Sequence, residues 1–105
     1  MAHNNDTMMA MTIIAKIRTH TAANPIKSRT LEQIYGITGE RVREIVHDAR
    51  MAGHPIGSGP SGYFECKTFK EWEPTRDHLH SRAMAMLSLL KRVDEGFADK
   101  QMELM

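Results

Sequence analysis

Two glycines, Gly36 and Gly53, each close a short run of regularly spaced apolar residues, and this punctuation constrains the chain more than any other feature of it. Between them Val42, Ile45, Val46 and Ala49 recur at intervals of three and four. A helix turns roughly 100° per residue, so these four share one stripe of a helix over about Gly39 to Ala52. Thr38 stands where a hydroxyl can accept from the amides of that helix's first turn. Ahead of Gly36, Leu31, Ile34 and Tyr35 supply the buried side of a shorter helix over Leu31 to Tyr35. Its start is predicted at Thr30-Leu31-Glu32-Gln33, a hydroxyl followed three residues later by an amide. Glycine enters the left-handed conformation that closes a helix without steric cost. The spacing therefore predicts two helices joined by a tight turn, with Ile37 plugging the core at the turn.

The flanking segments complete a small fold. A first helix is expected from about Met8 to Ala22, capped by Asn5, Asp6 or Thr7, with Ala10, Ile13, Ile14 and Ile17 on one face. Asn24-Pro25 should end it, because a residue before proline is pushed out of the helical region. After Gly53 the pattern changes. Pro55-Ile56-Gly57 and Tyr63-Phe64-Glu65-Cys66 read as two strands around the turn Ser58-Gly59-Pro60-Ser61-Gly62. Alternation puts Tyr63 and Glu65 on one side of the returning strand, Phe64 and Cys66 on the other. Thr68-Phe69-Lys70-Glu71 opens another helical turn, which Pro74 should break or kink. A long helix is then expected from Pro74 to Gly96, with a fraying tail over Phe97 to Met105.

A chain of 105 residues, 41% hydrophobic and 26% charged, suits one modest core. Its apolar runs fall short of the ~20 residues that span a bilayer. The start, Met1-Ala2-His3-Asn4-Asn5-Asp6, lacks the pattern of a signal peptide. A single cysteine, Cys66, has no internal disulfide partner. The expected address is the cytoplasm. Net charge is +1, distributed unevenly: residues 10–67 hold eight Lys/Arg against five Asp/Glu, residues 68–105 six against seven. The first half is mildly basic, which permits a nucleic-acid partner without demanding one.

Three helices followed by a glycine-rich hairpin is the order of the winged-helix family. The phrase from Ile37-Thr38-Gly39-Glu40-Arg41 to Val46 resembles the turn and recognition helix of small bacterial and phage helix-turn-helix proteins. The stretch Gly53-His54-Pro55-Ile56-Gly57, followed by Gly62-Tyr63-Phe64, looks like their wing. The likeness covers residues 8–67, with the helix-turn-helix at 30–52; residues 68–105 form a C-terminal helical extension outside it. It implies a mainly α fold with a small β-hairpin, and binding of double-stranded DNA by a transcriptional regulator or a phage replication or recombination accessory factor. Winged helices also bind proteins, so a phage-encoded inhibitor or adaptor of a host complex is the alternative.

In such folds the second helix of the pair enters the major groove. With Val42 at the centre of the buried face, Glu40, Glu44, His47 and Met51 point outward, flanked by Arg43 and Arg50 on one side and by Arg41 and Asp48 on the other. Arginine can pair with guanine and glutamate with cytosine, yet two glutamates one turn apart repel phosphates. Thr38 at the helix start joins this expected interface. Lys27, Ser28 and Arg29 are placed on the sugar-phosphate backbone, and Ser58 and Ser61 of the wing could contact phosphate as well. The bland counterpart is a solvated helix face beside a plain hairpin.

The six histidines suggest no metal. His78 and His80 diverge on a helix, and Cys66 has no ligand spacing with His47 or His54. No nucleophile motif, phosphate loop or carboxylate cluster points to catalysis. The expectation is a binding protein without cofactor or metal. Along the last helix Leu79, Ala83, Met86, Leu90, Val93 and Phe97 are separated by 4, 3, 4, 3 and 4 residues, a heptad seam that Leu87 and Leu89 widen. It predicts a homodimer through this helix, or else a helix folded back to finish the core.

Overall fold

The structure is a computed structural model that describes residues 2–104, with side chains over 6–102. It is mainly helical, in the order α1 (Ala2–Arg18), α2 (Ser28–Tyr35), α3 (Gly39–Met51), β1 (Ile56–Gly59), β2 (Gly62–Glu65) and α4 (Phe69–Leu104). Its contacts divide it into two compact units, 1–75 and 76–105. The opening turns of α4 thus belong to the first unit. No helix among the described residues is long and apolar enough to cross a membrane.

The first unit is organised by a single core. Ile13 and Ile17 of α1, Leu31 of α2, Val42, Ile45, Val46 and Ala49 of α3, and Ile56 of β1 are buried together with Ile26. Fully burying each large aliphatic contributes roughly 1.5–3 kcal/mol. The α3 stripe is the one the spacing predicts. The α2 stripe is not: Leu31 is buried, but Ile34 is 55% exposed. One eight-residue helix against α3 needs only one central anchor, and Tyr35 and Ile37 pack beside it.

Several boundaries differ from those expected, each for a local reason. Helix α1 begins at Ala2, so Asn5, Asp6 and Thr7 lie inside it, and it stops at Arg18 rather than Ala22. The amides of Thr19 and His20 turn back to the carbonyls of Lys16 and Ile17, and the Thr19 hydroxyl donates to Lys16 as well. The His20 carbonyl is then taken by the Glu65 amide. Pairing with β2, rather than Pro25, ends the helix. Helix α2 begins at Ser28 rather than Leu31, with Lys27 at its cap and no side chain capping it. The Lys27 carbonyl accepts from Thr30 and Leu31, which places Thr30 inside the helix and leaves the predicted capping box unused.

Other predicted devices are present. Gly36 adopts φ 64° and closes α2, and the Thr38 hydroxyl accepts from the Arg41 amide at 3.1 Å. The hairpin pairs Ile56 with Glu65 and Gly59 with Gly62 around the two-residue tip Pro60-Ser61, so β1 reaches further toward the tip than expected. Beyond the hairpin, Ile26 forms an antiparallel bridge with Tyr63, each amide donating to the other's carbonyl at 2.8 Å. That bridge requires Gly62: at φ 127°, any side chain there would collide with the Ile26 carbonyl.

At the start of α4 the Thr68 hydroxyl accepts from the Glu71 amide at 3.2 Å, while the Glu71 carboxylate accepts from Lys67 at 2.8 Å. Pro74 does not break the helix, which runs through it and on past Gly96 to Leu104. Pro74 lies near the start of α4, where its missing donor and the crowding of its ring on the preceding turn act on the opening turns alone. From His80 to Met102 every residue is exposed, among them Met86, Leu87, Leu89, Leu90, Val93 and Phe97.

Candidate nucleic-acid interface of the first unit

The bridge between Ile26 and Tyr63 brings the segment ahead of α2 against the hairpin. Lys27 and Ser28 consequently line one hollow of about 290 Å3 with Ser58, Gly59 and Tyr63. A neighbouring hollow of about 390 Å3 joins Lys16, His20, Lys27, Thr30 and Ile34 to Ser61 at the hairpin tip. The predicted backbone-contacting residues Lys27 and Ser28 are thus gathered with the predicted wing residues Ser58 and Ser61. Arg29 is exposed but lines neither hollow.

Lys16 and His20 join this basic side, although nothing in their spacing announces it. They lie on the last turn of α1 and just beyond it, ten residues and six residues before Ile26. Only the strand bridge tells where that end of the helix sits. Arg18, their neighbour, is spent on Glu65 at 2.8 Å.

The outer face of α3 has a different character. Glu40, Arg43, Glu44, His47 and Asp48 surround a shallow depression of about 400 Å3. Arg41 is half-buried and its guanidinium donates to Glu44 at 3.1 Å. Arg43 is exposed, the one arginine of α3 without an internal partner among those described. Carboxylates outnumber available guanidinium groups on this face.

Arg50 departs most from expectation. Its Nε donates to the Ile56 carbonyl at 2.9 Å and its Nη2 to the Ser58 hydroxyl at 3.2 Å, while the guanidinium lies 5.9 Å from the centre of the Trp72 ring. Burial lowers its pKa from the ordinary arginine value, an effect opposed by the nearby Tyr63 and Cys66. Arg50 is a tie joining α3, β1 and the first turn of α4. The Ser58 amide donates in turn to the buried Thr75 hydroxyl at 3.0 Å. An outward position on a helical wheel did not disclose this, because the carbonyl of Ile56 and the ring of Trp72 arrive from distant sequence.

Three further hydroxyls of the expected interface have internal roles. Thr38 caps α3, Ser28 donates to Glu32 at 3.1 Å, and Ser58 accepts from Arg50. Cys66 is buried, and its thiol pKa is raised first by burial and then by the Glu71 carboxylate. Among the described residues no group of three His, Cys, Asp or Glu side chains is placed to hold a metal. No family model matches the chain, and neither a curated protein nor a solved structure is detectably similar to it.

Proposed function

We propose that the first unit is a winged helix that binds double-stranded DNA, as a small transcriptional regulator or a phage replication or recombination accessory factor. One observation carries this reading. The strand bridge at Ile26 draws Lys27, Ser28, Lys16 and His20 to the hairpin side, beside two helices joined by the short turn Gly36–Thr38. In this arrangement Lys16, Lys27 and Arg29 touch phosphates, the hairpin tip supplies amides and hydroxyls, and Arg43 reaches base edges. Arg50 serves the fold instead.

Binding of a random-sequence duplex, followed by fluorescence anisotropy between 50 and 200 mM salt, tests it. Each phosphate contact contributes about −0.9 to the slope of log K against log salt, so three contacts give a slope of about −3. Lys27→Ala should lower the affinity and flatten the slope by about 1, whereas Arg43→Ala should act on duplexes selected for tight binding far more than on random ones.

A second reading, a protein-binding winged helix such as an inhibitor or adaptor of a host complex, is favoured by the carboxylates of α3. Glu40, Glu44 and Asp48 repel a phosphate backbone and suit a basic protein surface. Absence of duplex binding at the lowest salt transfers the function to this reading. In both, the exposed stripe of α4 holds two copies together as a homodimer.

A further inference from the structure

We infer that the two α4 segments of this homodimer run antiparallel, centred on Ser88. The inference rests on the homodimer reading and adds the orientation to it. Residues 76–104 are helical, and the seam Leu79, Ala83, Met86, Leu90, Val93 and Phe97 takes the a and d positions of a heptad repeat. From Met86 to Phe97 its apolar members are half or more exposed. The orientation follows from what flanks the seam.

Leu87 holds an e position and Leu89 a g position, and both are exposed at about 60% (58% and 62%). In a parallel pair each g residue meets the e residue five positions further along the other copy. Leu87 would then lie against Arg82, and Leu89 against Asp94. Each of the two apolar flanks would bury a leucine beside a charge. In an antiparallel pair centred on Ser88, e meets e and g meets g. Leu87 then meets Leu87 of the second copy, Leu89 meets Leu89, and the polar side chains of His80 and Asp94 meet each other.

The seam itself agrees. Antiparallel layers match Leu79 with Phe97, Ala83 with Val93 and Met86 with Leu90, so every seam residue finds an apolar partner of differing size. Parallel layers stack Ala83 on Ala83 and Phe97 on Phe97, leaving a gap in one layer and crowding in another. Shifting the antiparallel register by one heptad matches Ala83 with Lys100 and Leu87 with Asp94, which removes the fit. Charge along the helix points the same way: residues 76–92 hold four Lys/Arg against one Asp, and residues 93–100 three Asp/Glu against one Lys.

At a rise of 1.5 Å per residue this register sets the two copies of Arg76 about 36 Å apart along the pair.

Cysteine cross-linking decides the orientation. Ala83→Cys and Val93→Cys are made separately at exposed positions, mixed, equilibrated and oxidised, and the disulfides are mapped by mass spectrometry, which also accounts for the buried Cys66. The mixture should form the 83–93 disulfide, several-fold more than either variant links to itself, because self-links would span about 15 Å along the axis. Efficient 83–83 or 93–93 links in the separate variants would overturn the orientation while leaving the dimer standing. Sedimentation equilibrium of the unmodified chain covers the remaining case: a monomer at micromolar concentration would overturn both.

Discussion

The two units carry apolar stripes of similar spacing, and they meet opposite fates. In α3, Val42, Ile45, Val46 and Ala49 are each no more than 2% exposed. In α4, Met86, Leu90, Val93 and Phe97 repeat at nearly the same intervals and are 50% to 67% exposed. The first stripe has α1, α2 and β1 around it; the second is exposed. Periodicity states that a face will be buried and is silent on what buries it. A stripe folded within its own domain affects stability at any protein concentration, whereas a stripe covered by another copy makes the apparent stability of its helix depend on concentration.

Breaking the internal stripe should have the largest effect. Ile45→Ala leaves a cavity among α1, α2 and α3, and should cost about 2–5 kcal/mol of unfolding free energy in a urea titration. That cost should be the same in dilute and concentrated samples. A loss below about 1 kcal/mol would mean that the α3 stripe is not the centre of the core.

Leu90→Glu attacks the other stripe. It should leave the urea midpoint of the first unit unchanged and shift the chain to monomers in sedimentation, because roughly 1.5–3 kcal/mol of side-chain burial is lost from each copy. A fall in the stability of the first unit would instead show Leu90 to be part of its core.

Arg50→Ala sharpens the contrast within α3 between residues that hold the fold and those that face outward. Losing its bonds to Ile56 and Ser58 should cost about 1–3 kcal/mol. The emission of Trp72, the chain's single tryptophan, should change as its cationic neighbour is removed. Arg43→Ala, two turns earlier on the same side of α3, should leave both stability and emission as they were. Equal destabilisation by the two substitutions would remove the distinction.

The smallest effect is expected from Thr38→Ala, which deletes the hydroxyl that accepts from Arg41 at the start of α3. A lost helix cap costs typically about 1 kcal/mol. The change should appear in the urea midpoint and leave sedimentation untouched. A shift in sedimentation would show that α3 contributes to assembly.

Legibility in the sequence followed the range of the forces involved. The α3 stripe, the Thr38 cap, the left-handed Gly36 and the hairpin could all be read from residues within a few positions of one another. The boundaries of α1 and α2 could not. The Glu65 amide, from across the fold, takes the carbonyl that ends α1, and the Lys27 carbonyl starts α2 three residues before the hydroxyl that looked like its cap. For the candidate site, the structure gathers Lys27 and Ser28 with Ser58 and Ser61, and adds Lys16 and His20, which no local spacing brings there.

What the sequence by itself determined is therefore local: where helices and turns form, which stripe of each is apolar, and that α4 carries more apolar surface than solvent favours. Backbone hydrogen bonds and side-chain periodicity act over one or two turns, so a linear reading captures them. The tertiary structure alone decided which polar groups remain available. Arg50 occupies an outward position of its helix and is nevertheless withdrawn, because Ile56, Ser58 and Trp72 converge on it from 6, 8 and 22 residues away. A guanidinium that has found a carbonyl, a hydroxyl and an aromatic face in a half-buried setting has little left to gain from a groove.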